Sequence, residues 1–304
     1  MKKLVFTAKL LVIVFIMIFL MFWVVMPQYS TFYNASIIDK YDRLMSIDEP
    51  KIILVGDSNV AFGFDSVRIG QAFDMPVVNF GLHGGLGQAF HTDMIKPGIN
   101  EGDIVIIIPV GYSDDSVVVR DPVMAWSAIE NNFRLWRGIS PANYSEMMLA
   151  FPTYLKRAIA LFTTGGGNQP YYGLYSRASF STNGDIMFPR PESWIVEGHY
   201  GSYFDNNELS ETMITYWNEF NEFVESRNAR LFMSGPAMLD NALTVDLAPL
   251  QANLEEYLDF PMISQLDELV YPSELFFDLN FHLNDRGVAV RSDHLIQDLR
   301  NALD

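Results

Sequence analysis

The chain has 304 residues, of which 49% are hydrophobic and 19% charged, so it can bury a sizeable core and does not have the composition of a disordered protein. Its formal net charge of −17 disfavours DNA and RNA as partners, because nucleic-acid binding depends on Lys and Arg side chains that neutralise phosphates. The absence of cysteine excludes disulfides, thiolate metal sites and cysteine nucleophiles.

The first predicted element is an apolar N-terminal helix. Residues 10–26 read LLVIVFIMIFLMFWVVM without a charge, and a helix of that length rises about 25 Å, near the lower limit for spanning a bilayer. A cleaved signal peptide is the alternative. Signal peptides usually have shorter apolar cores that end at small residues, whereas this segment ends at Trp23 and Pro27. The sequence therefore favours an uncleaved transmembrane anchor over residues 10–27.

The charges that flank this anchor predict its orientation. Lys2, Lys3 and Lys9 precede the apolar run, and such cations favour the cytoplasmic side of a membrane. We therefore expect residues 1–9 in the cytoplasm, a tether over residues 28–49, and a domain over residues 50–304 on the outer side of the cytoplasmic membrane.

Short apolar runs alternate with helical patterns in the outer domain. Nearly continuous apolar strands between helices are typical of a parallel sheet that is covered on both faces. The sequence thus predicts an α/β fold, a three-layer α/β/α arrangement with a mostly parallel sheet. Strands are predicted at 51–56, 75–81, 103–111 and 229–235, and helices at 64–73, 84–98, about 208–227 and about 285–302.

The rhythm of strands and helices stops over residues 115–205. This region is rich in aromatics, Asn, Gly and Pro, and we interpret it as an insertion or lid on the α/β core. The aromatic residues in 126–136 and 169–175 are predicted mainly to pack, with stacking on sugar rings as the alternative.

Polar motifs follow three of the predicted strands and precede the last helix. GDSN (56–59) follows the first strand, NFGLHGG (79–85) the second and VGYSDD (110–115) the third, while FFDLNFHLN (276–284) precedes the last helix. In such sheets ligands bind beyond the carboxyl ends of the strands. Each short motif alone is also consistent with an ordinary turn.

Together these motifs contain the groups that serine-based acyl transfer needs. Ser58 provides a hydroxyl, His282 a base and Asp278 a carboxylate that can orient the base. Backbone N–H groups of Ser58 and Gly84 can stabilise an oxyanion. Five scattered histidines give no metal-ligand spacing, and no cofactor or metal is expected.

The order of these motifs resembles that of the SGNH, or GDSL-like, hydrolase superfamily over roughly residues 50–115 and 228–304. The D-x-x-x-H-L-N-x-x-G form, the anchor and the long insertion look more like the membrane-anchored branch, which includes the D-alanyl transfer protein of teichoic acid modification and acetyltransferase-like proteins of exopolysaccharide pathways. The resemblance implies Ser58 as nucleophile, Asp278 and His282 as the other triad members, and Gly84 as an oxyanion donor.

The chain departs from the family pattern in two places. Ser113 stands where the family's third block usually has an Asn that donates to the oxyanion, and Asn59 is another candidate donor. The D-x-x-x-H spacing replaces the commoner D-x-x-H.

The resemblance implies a membrane-anchored, extracytoplasmic serine acyltransferase or esterase that acylates or deacylates a cell-envelope or secreted polysaccharide through an acyl-serine. It also implies a membrane-bound O-acyltransferase as partner. A non-catalytic scaffold protein of envelope polysaccharide assembly is the main alternative, and a general lipase or peptidase is a third.

Overall fold

The computed structural model describes residues 2–112, 117–169, 172–195 and 209–304. Its centre is a four-stranded parallel sheet in the order β2-β1-β3-β4, and a two-stranded parallel pair, β5-β6, lies apart from it. The strands are β1 (Ile52–Gly56), β2 (Val77–Gly81), β3 (Ile104–Ile108), β4 (Arg230–Met233), β5 (Met238–Leu239) and β6 (Val270–Tyr271). The α-helices of the described residues are α1 (Lys2–Leu20), α2 (Ser36–Met45), α3 (Ser58–Ala61), α4 (Ser66–Phe73), α5 (Gln88–Ile95), α6 (Pro122–Ile129), α7 (Tyr144–Thr164), α8 (Glu211–Glu225), α9 (Ala248–Tyr257) and α10 (Asp285–Leu303).

Both faces of the four-stranded sheet are buried. Ile53 and Val55 of β1 belong to a large apolar cluster with residues of α2 and α5 to α9. Ile52 and Leu54 belong to a smaller cluster with residues of α4 and α10. Because successive side chains of a strand point to opposite faces, a strand buried on both faces must be apolar at every position. This requirement explains the unbroken apolar runs of the sequence.

The predicted strands are confirmed with small changes in their bounds. The four runs that the sequence identifies become β1 to β4, and the predicted helices become α4, α5, α8 and α10. The helix expected over residues 84–98 is shorter, since α5 begins at Gln88 after a separate 3-10 turn at Gly84–Leu86. Gly87, with φ of +86°, stands between the two, and this backbone conformation interrupts the helix.

The prediction of a tether over residues 28–49 is wrong for most of that segment. Residues 33–35 form a 3-10 turn and residues 36–45 form α2, which packs against β2, α5 and α6. Ile37, Tyr41 and Leu44 are buried in the main core. They recur at helical spacing, so α2 presents an apolar face to the domain and is part of it.

The described part of the predicted insertion also belongs to this core. Helices α6 and α7 pack against each other, and α6 contacts α2. Trp126 is buried, stacks on Tyr154 at 5.6 Å and donates from Nε1 to the Met147 carbonyl oxygen at 2.5 Å. Trp126 therefore packs, as expected, and is not free to stack on a sugar.

A buried ion pair joins the starts of β1 and β3. Lys51 Nζ lies 2.8 Å from Asp103 Oδ2, and both side chains are fully buried. The same carboxylate accepts the backbone N–H of Lys51 at 3.0 Å and of Asn100 at 2.8 Å. These bonds satisfy the charge that Asp103 brings into the core.

One helix in the described part of the chain, over Lys3–Val25, is long and apolar enough to cross a membrane, and none of it is buried in the domain. It comprises α1 and one π-helical turn, Met21–Val25. The helix is consistent with the predicted anchor. The support for that role comes from its length and its composition.

Candidate active site

The register of the parallel sheet places the ends of three strands at one edge. Gly56 of β1 lies beside Gly81 of β2 on one side and Ile108 of β3 on the other. The GDSN and NFGLHGG motifs therefore leave the sheet at the same level, as the sequence predicts. A Cβ on Gly81 would lie 2.3 Å from the backbone nitrogen of Ala61, so only glycine lets α3 pack this closely on β2.

Ser58 is the first residue of α3, directly beyond β1, and its side chain is partly exposed. As the first residue of a helix it has a backbone N–H without an intrahelical acceptor, and the same holds for Gly84 at the start of its 3-10 turn. A Cβ on Gly84 would lie 2.9 Å from Oδ2 of Asp57, the residue before Ser58. The two candidate oxyanion donors thus flank the same buried carboxyl group. Burial raises the pKa of Asp57 to about 7.

His282 and Asp278 form a hydrogen-bonded pair. His282 Nδ1 lies 2.9 Å from Asp278 Oδ1, with the imidazole buried and the carboxylate partly exposed. Burial lowers the pKa of His282 below its ordinary value, although the bond to Asp278 opposes that effect. Burial acts to raise the pKa of Asp278, but hydrogen bonds from His282 and Tyr175 and the histidine charge bring it below its ordinary value. The pair therefore holds a neutral imidazole beside an ionised carboxylate near neutral pH.

The loop that carries this pair is fixed by the residues that follow it. The backbone N–H of Phe277 donates to the His282 carbonyl oxygen at 2.8 Å, which closes the loop between the two catalytic candidates. Asn284 caps α10 by accepting the N–H of Gly287 at 3.0 Å, and its amide donates to the Glu274 carbonyl oxygen at 2.7 Å. A Cβ on Gly287 would lie 2.2 Å from the Leu275 carbonyl oxygen. These contacts explain the Asn and Gly of the D-x-x-x-H-L-N-x-x-G motif.

Phe62 connects the base to the candidate nucleophile. Its ring stacks on the His282 imidazole with centroids 4.0 Å apart and planes 8° apart. Its backbone N–H donates to the Ser58 carbonyl oxygen at 2.9 Å, so Phe62 lies one helical turn beyond Ser58. Within the described residues no hydrogen bond joins Ser58 Oγ to His282. Catalytic hydrogen bonds often form only when substrate is present, so we expect this bond to form in the complex with substrate.

Tyr175 is a site residue that sequence reasoning missed. Its hydroxyl donates to Asp278 Oδ2 and lies 3.5 Å from His282 Nδ1. Burial and the bond to Asp278 raise the pKa of Tyr175, so the hydroxyl stays protonated and acts as a donor. Its sequence signal is an aromatic residue in 169–175, and that pattern by itself indicates only packing or sugar stacking.

Arg190 is a second missed residue. It is buried, its guanidinium lies 5.1 Å from the centroid of the Phe62 ring, and its charge helps to lower the pKa of His282. The backbone N–H of Arg190 donates to the Asp285 carboxylate at 3.0 Å, at the start of α10. No local sequence pattern distinguishes Arg190 from other arginines of the chain.

The remaining oxyanion candidates have different outcomes. Asn59 Nδ2 donates to the Ile108 carbonyl oxygen at 3.1 Å, so one amide hydrogen of this buried side chain holds the end of β3. The prediction for Ser113 lies outside the described residues. His83 is exposed beside Gly84, and its Nδ1 accepts the backbone N–H of Gly85 at 2.9 Å.

In the ranges that the structure describes, no three His, Asp or Glu side chains converge as a metal-ligand set.

No protein-family model matches the chain, and neither a curated protein nor a solved structure shows significant similarity to it. The likeness to SGNH hydrolases therefore depends on the short motifs of the sequence and remains a prediction.

Proposed function

We propose that the protein is a membrane-anchored serine acyltransferase or esterase that works through an acyl-serine at Ser58. The observation that carries the proposal is the pair of His282 and Asp278. The buried imidazole is oriented by a carboxylate at 2.9 Å and stacks on Phe62, the residue one helical turn beyond Ser58. A serine mechanism requires such an oriented base, since a serine hydroxyl is a weak nucleophile until a neighbouring base accepts its proton.

The arrangement supports a sequence of proton transfers. The Nδ1–H of His282 donates a hydrogen bond to Asp278 and keeps its proton, which leaves the lone pair of Nε2 free to accept the proton of Ser58. The serine oxygen attacks an ester or thioester carbonyl, and the N–H groups of Ser58 and Gly84 stabilise the oxyanion. The protonated imidazole then gives its proton to the leaving alcohol or thiol, and an acyl-serine remains. Water or a sugar hydroxyl accepts the acyl group in the second half of the reaction, again with His282 as base.

The substrate and location belong to the same proposal. The apolar helix over Lys3–Val25 supports an anchor, and the preceding cations favour a cytoplasmic N-terminus with the domain on the outer side. We propose a three-layer, SGNH-like α/β/α domain, supported by the apolar clusters on the two faces of the sheet. A cell-envelope or secreted polysaccharide is the proposed acceptor, with a membrane-bound O-acyltransferase as the source of acyl groups.

One observation favours the alternative of a non-catalytic scaffold. Ser58 Oγ forms no hydrogen bond to His282 in the described part of the chain, so the base is not engaged with its nucleophile. The two functions differ in whether Ser58 is activated.

A fluorophosphonate probe tests the proposed function. We expect the full chain in detergent to form a covalent adduct that mass spectrometry locates at Ser58, because only an activated serine reacts readily with this probe. The variant Ser58→Ala is expected to lose all labelling, whereas Ser226→Ala, which changes an exposed serine at the end of α8, labels like the parent protein. Failure of the folded parent protein to react would favour the scaffold.

Tyr175→Phe tests the role of the missed tyrosine. Loss of its bond to Asp278 is expected to slow labelling about tenfold, the cost of a hydrogen bond to a charged group. A carboxylate with one donor fewer interacts more strongly with the imidazolium, so the pKa of His282 rises. Because the neutral imidazole is the active base, the acid limb of the rate-against-pH profile then moves to higher pH.

The neighbouring Tyr172→Phe is the matched control, since Tyr172 is 80% exposed. A Tyr175→Phe profile that falls in rate without any shift along the pH axis would assign Tyr175 a packing role only.

A further inference from the structure

The anchor and the domain are joined without a flexible linker. The apolar span ends at Val25, and Met26, the next residue, is fully buried in the main core. The chain therefore passes from the predicted membrane span to the domain interior within one residue. A domain joined in this way cannot stand away from the bilayer.

Hydrogen bonds fix this junction from several sides. The Glu130 carboxylate, at the end of α6, accepts the backbone N–H of Gln28 at 2.7 Å and of Tyr29 at 2.9 Å. The Tyr154 hydroxyl of α7 donates to the Met26 carbonyl oxygen at 2.8 Å. Glu130 directly follows α6 and Tyr154 lies on α7. These bonds therefore keep the surface of both helices next to the point where the anchor enters the domain.

An exposed apolar stripe runs along α7 at this surface. The stripe has four members, which follow one another along the chain at steps of four, eleven and three residues. At 3.6 residues per turn these steps place all four on one flank of the helix, beside the buried flank that includes Tyr154. Each member is between 41% and 60% exposed. The α7 stripe consists of Tyr144, Met148, Ile159 and Phe162.

Aromatic contacts connect the region of the stripe to the end of the anchor. Phe133 lies 6.2 Å from Trp23 of the anchor, and both rings are about half exposed. Trp136, from the same 3-10 segment as Phe133, lies 6.0 Å from Tyr144 of the stripe. A Trp at the end of a span and a helix with an apolar flank are both typical of the interface between water and lipid.

We propose that the α7 stripe rests on the lipid headgroup and acyl boundary of the bilayer that holds the anchor. This inference depends on the anchoring in the proposed function and adds a second, surface contact with lipid. Two contacts fix the orientation of the domain, so the edge of the sheet that carries Ser58 has a constant height and direction relative to the membrane. A substrate held in or near that membrane then meets the site at a defined distance.

Single-cysteine labelling tests the lipid contact, because the natural chain has no cysteine. The variants Ile159→Cys and Phe162→Cys carry a bimane fluorophore on the stripe. The matched controls are Val67→Cys and Val290→Cys, which are exposed apolar positions on α4 and α10. These two helices cover the other face of the sheet. The full chain is placed in nanodiscs of phosphatidylcholine and phosphatidylglycerol that contain phosphatidylcholine with a doxyl group near the headgroup.

We expect the doxyl lipid to quench most of the fluorescence at the two stripe positions and little at the two controls, while aqueous iodide quenches the controls. Iodide quenching at all four positions would show a stripe in water and overturn the proposal. Protection of the stripe from both quenchers would show a protein cover, by a second copy or another membrane protein, and would also overturn it.

Fluorophosphonate labelling of Ser58 in the same nanodiscs separates this inference from the proposed chemistry. Lipid quenching without serine labelling would count against the acyl mechanism alone. Serine labelling without lipid quenching would count against the surface contact alone.

Discussion

Replacement of Asp278 by asparagine is expected to slow fluorophosphonate labelling of Ser58 and turnover of p-nitrophenyl acetate by about four orders of magnitude. The asparagine keeps the size of the side chain but loses the charge that stabilises the imidazolium, and its amide can present a donor to His282 Nδ1 in place of the acceptor at 2.9 Å. The imidazole is then held with its lone pair on the wrong nitrogen.

The control is Asp267→Asn, which removes an exposed carboxylate from a 3-10 turn away from the sheet edge. It is expected to label at the parent rate. Both variants are compared with the parent protein by near-ultraviolet circular dichroism, so that a change of fold is distinguished from a change of chemistry. An Asp278→Asn variant that is folded and fully reactive would remove Asp278 from the mechanism.

The second large effect concerns stability. Asp103→Ala is expected to lower the free energy of unfolding by about 3–5 kcal/mol, because it leaves the fully buried ammonium of Lys51 without its partner. It also removes the acceptor for the backbone N–H groups of Lys51 and Asn100. The measurement is urea unfolding in detergent, followed by the fluorescence of the buried Trp217 and the other tryptophans.

Two further variants make this prediction specific. Lys51→Met in the Asp103→Ala background is expected to recover much of the lost stability, because no buried charge then remains. Arg68→Ala breaks an ion pair with Asp293 whose side chains are about half exposed, and it is expected to change stability by less than about 1 kcal/mol. Equal losses for Asp103→Ala and Arg68→Ala would show that burial of the pair does not determine its contribution.

The proposed site could be found from sequence where its determinants are local. Asp278 and His282 are four residues apart in one loop, and Asn284 fixes the end of that loop as a cap, so their pairing depends on short-range geometry. The same holds for Ser58, whose position follows from an apolar strand that ends in a glycine.

The sequence by itself thus determined the parallel strands, because burial on both faces requires a continuous apolar run, and it determined the loop that orients the histidine. Only the tertiary structure decided that Tyr175 donates to Asp278 across 103 positions of the chain, that Phe62 stacks on His282, and that the segment after the anchor is part of the domain. These contacts join residues far apart in the chain. Their formation depends on how whole elements pack, and no local pattern of residues records that packing.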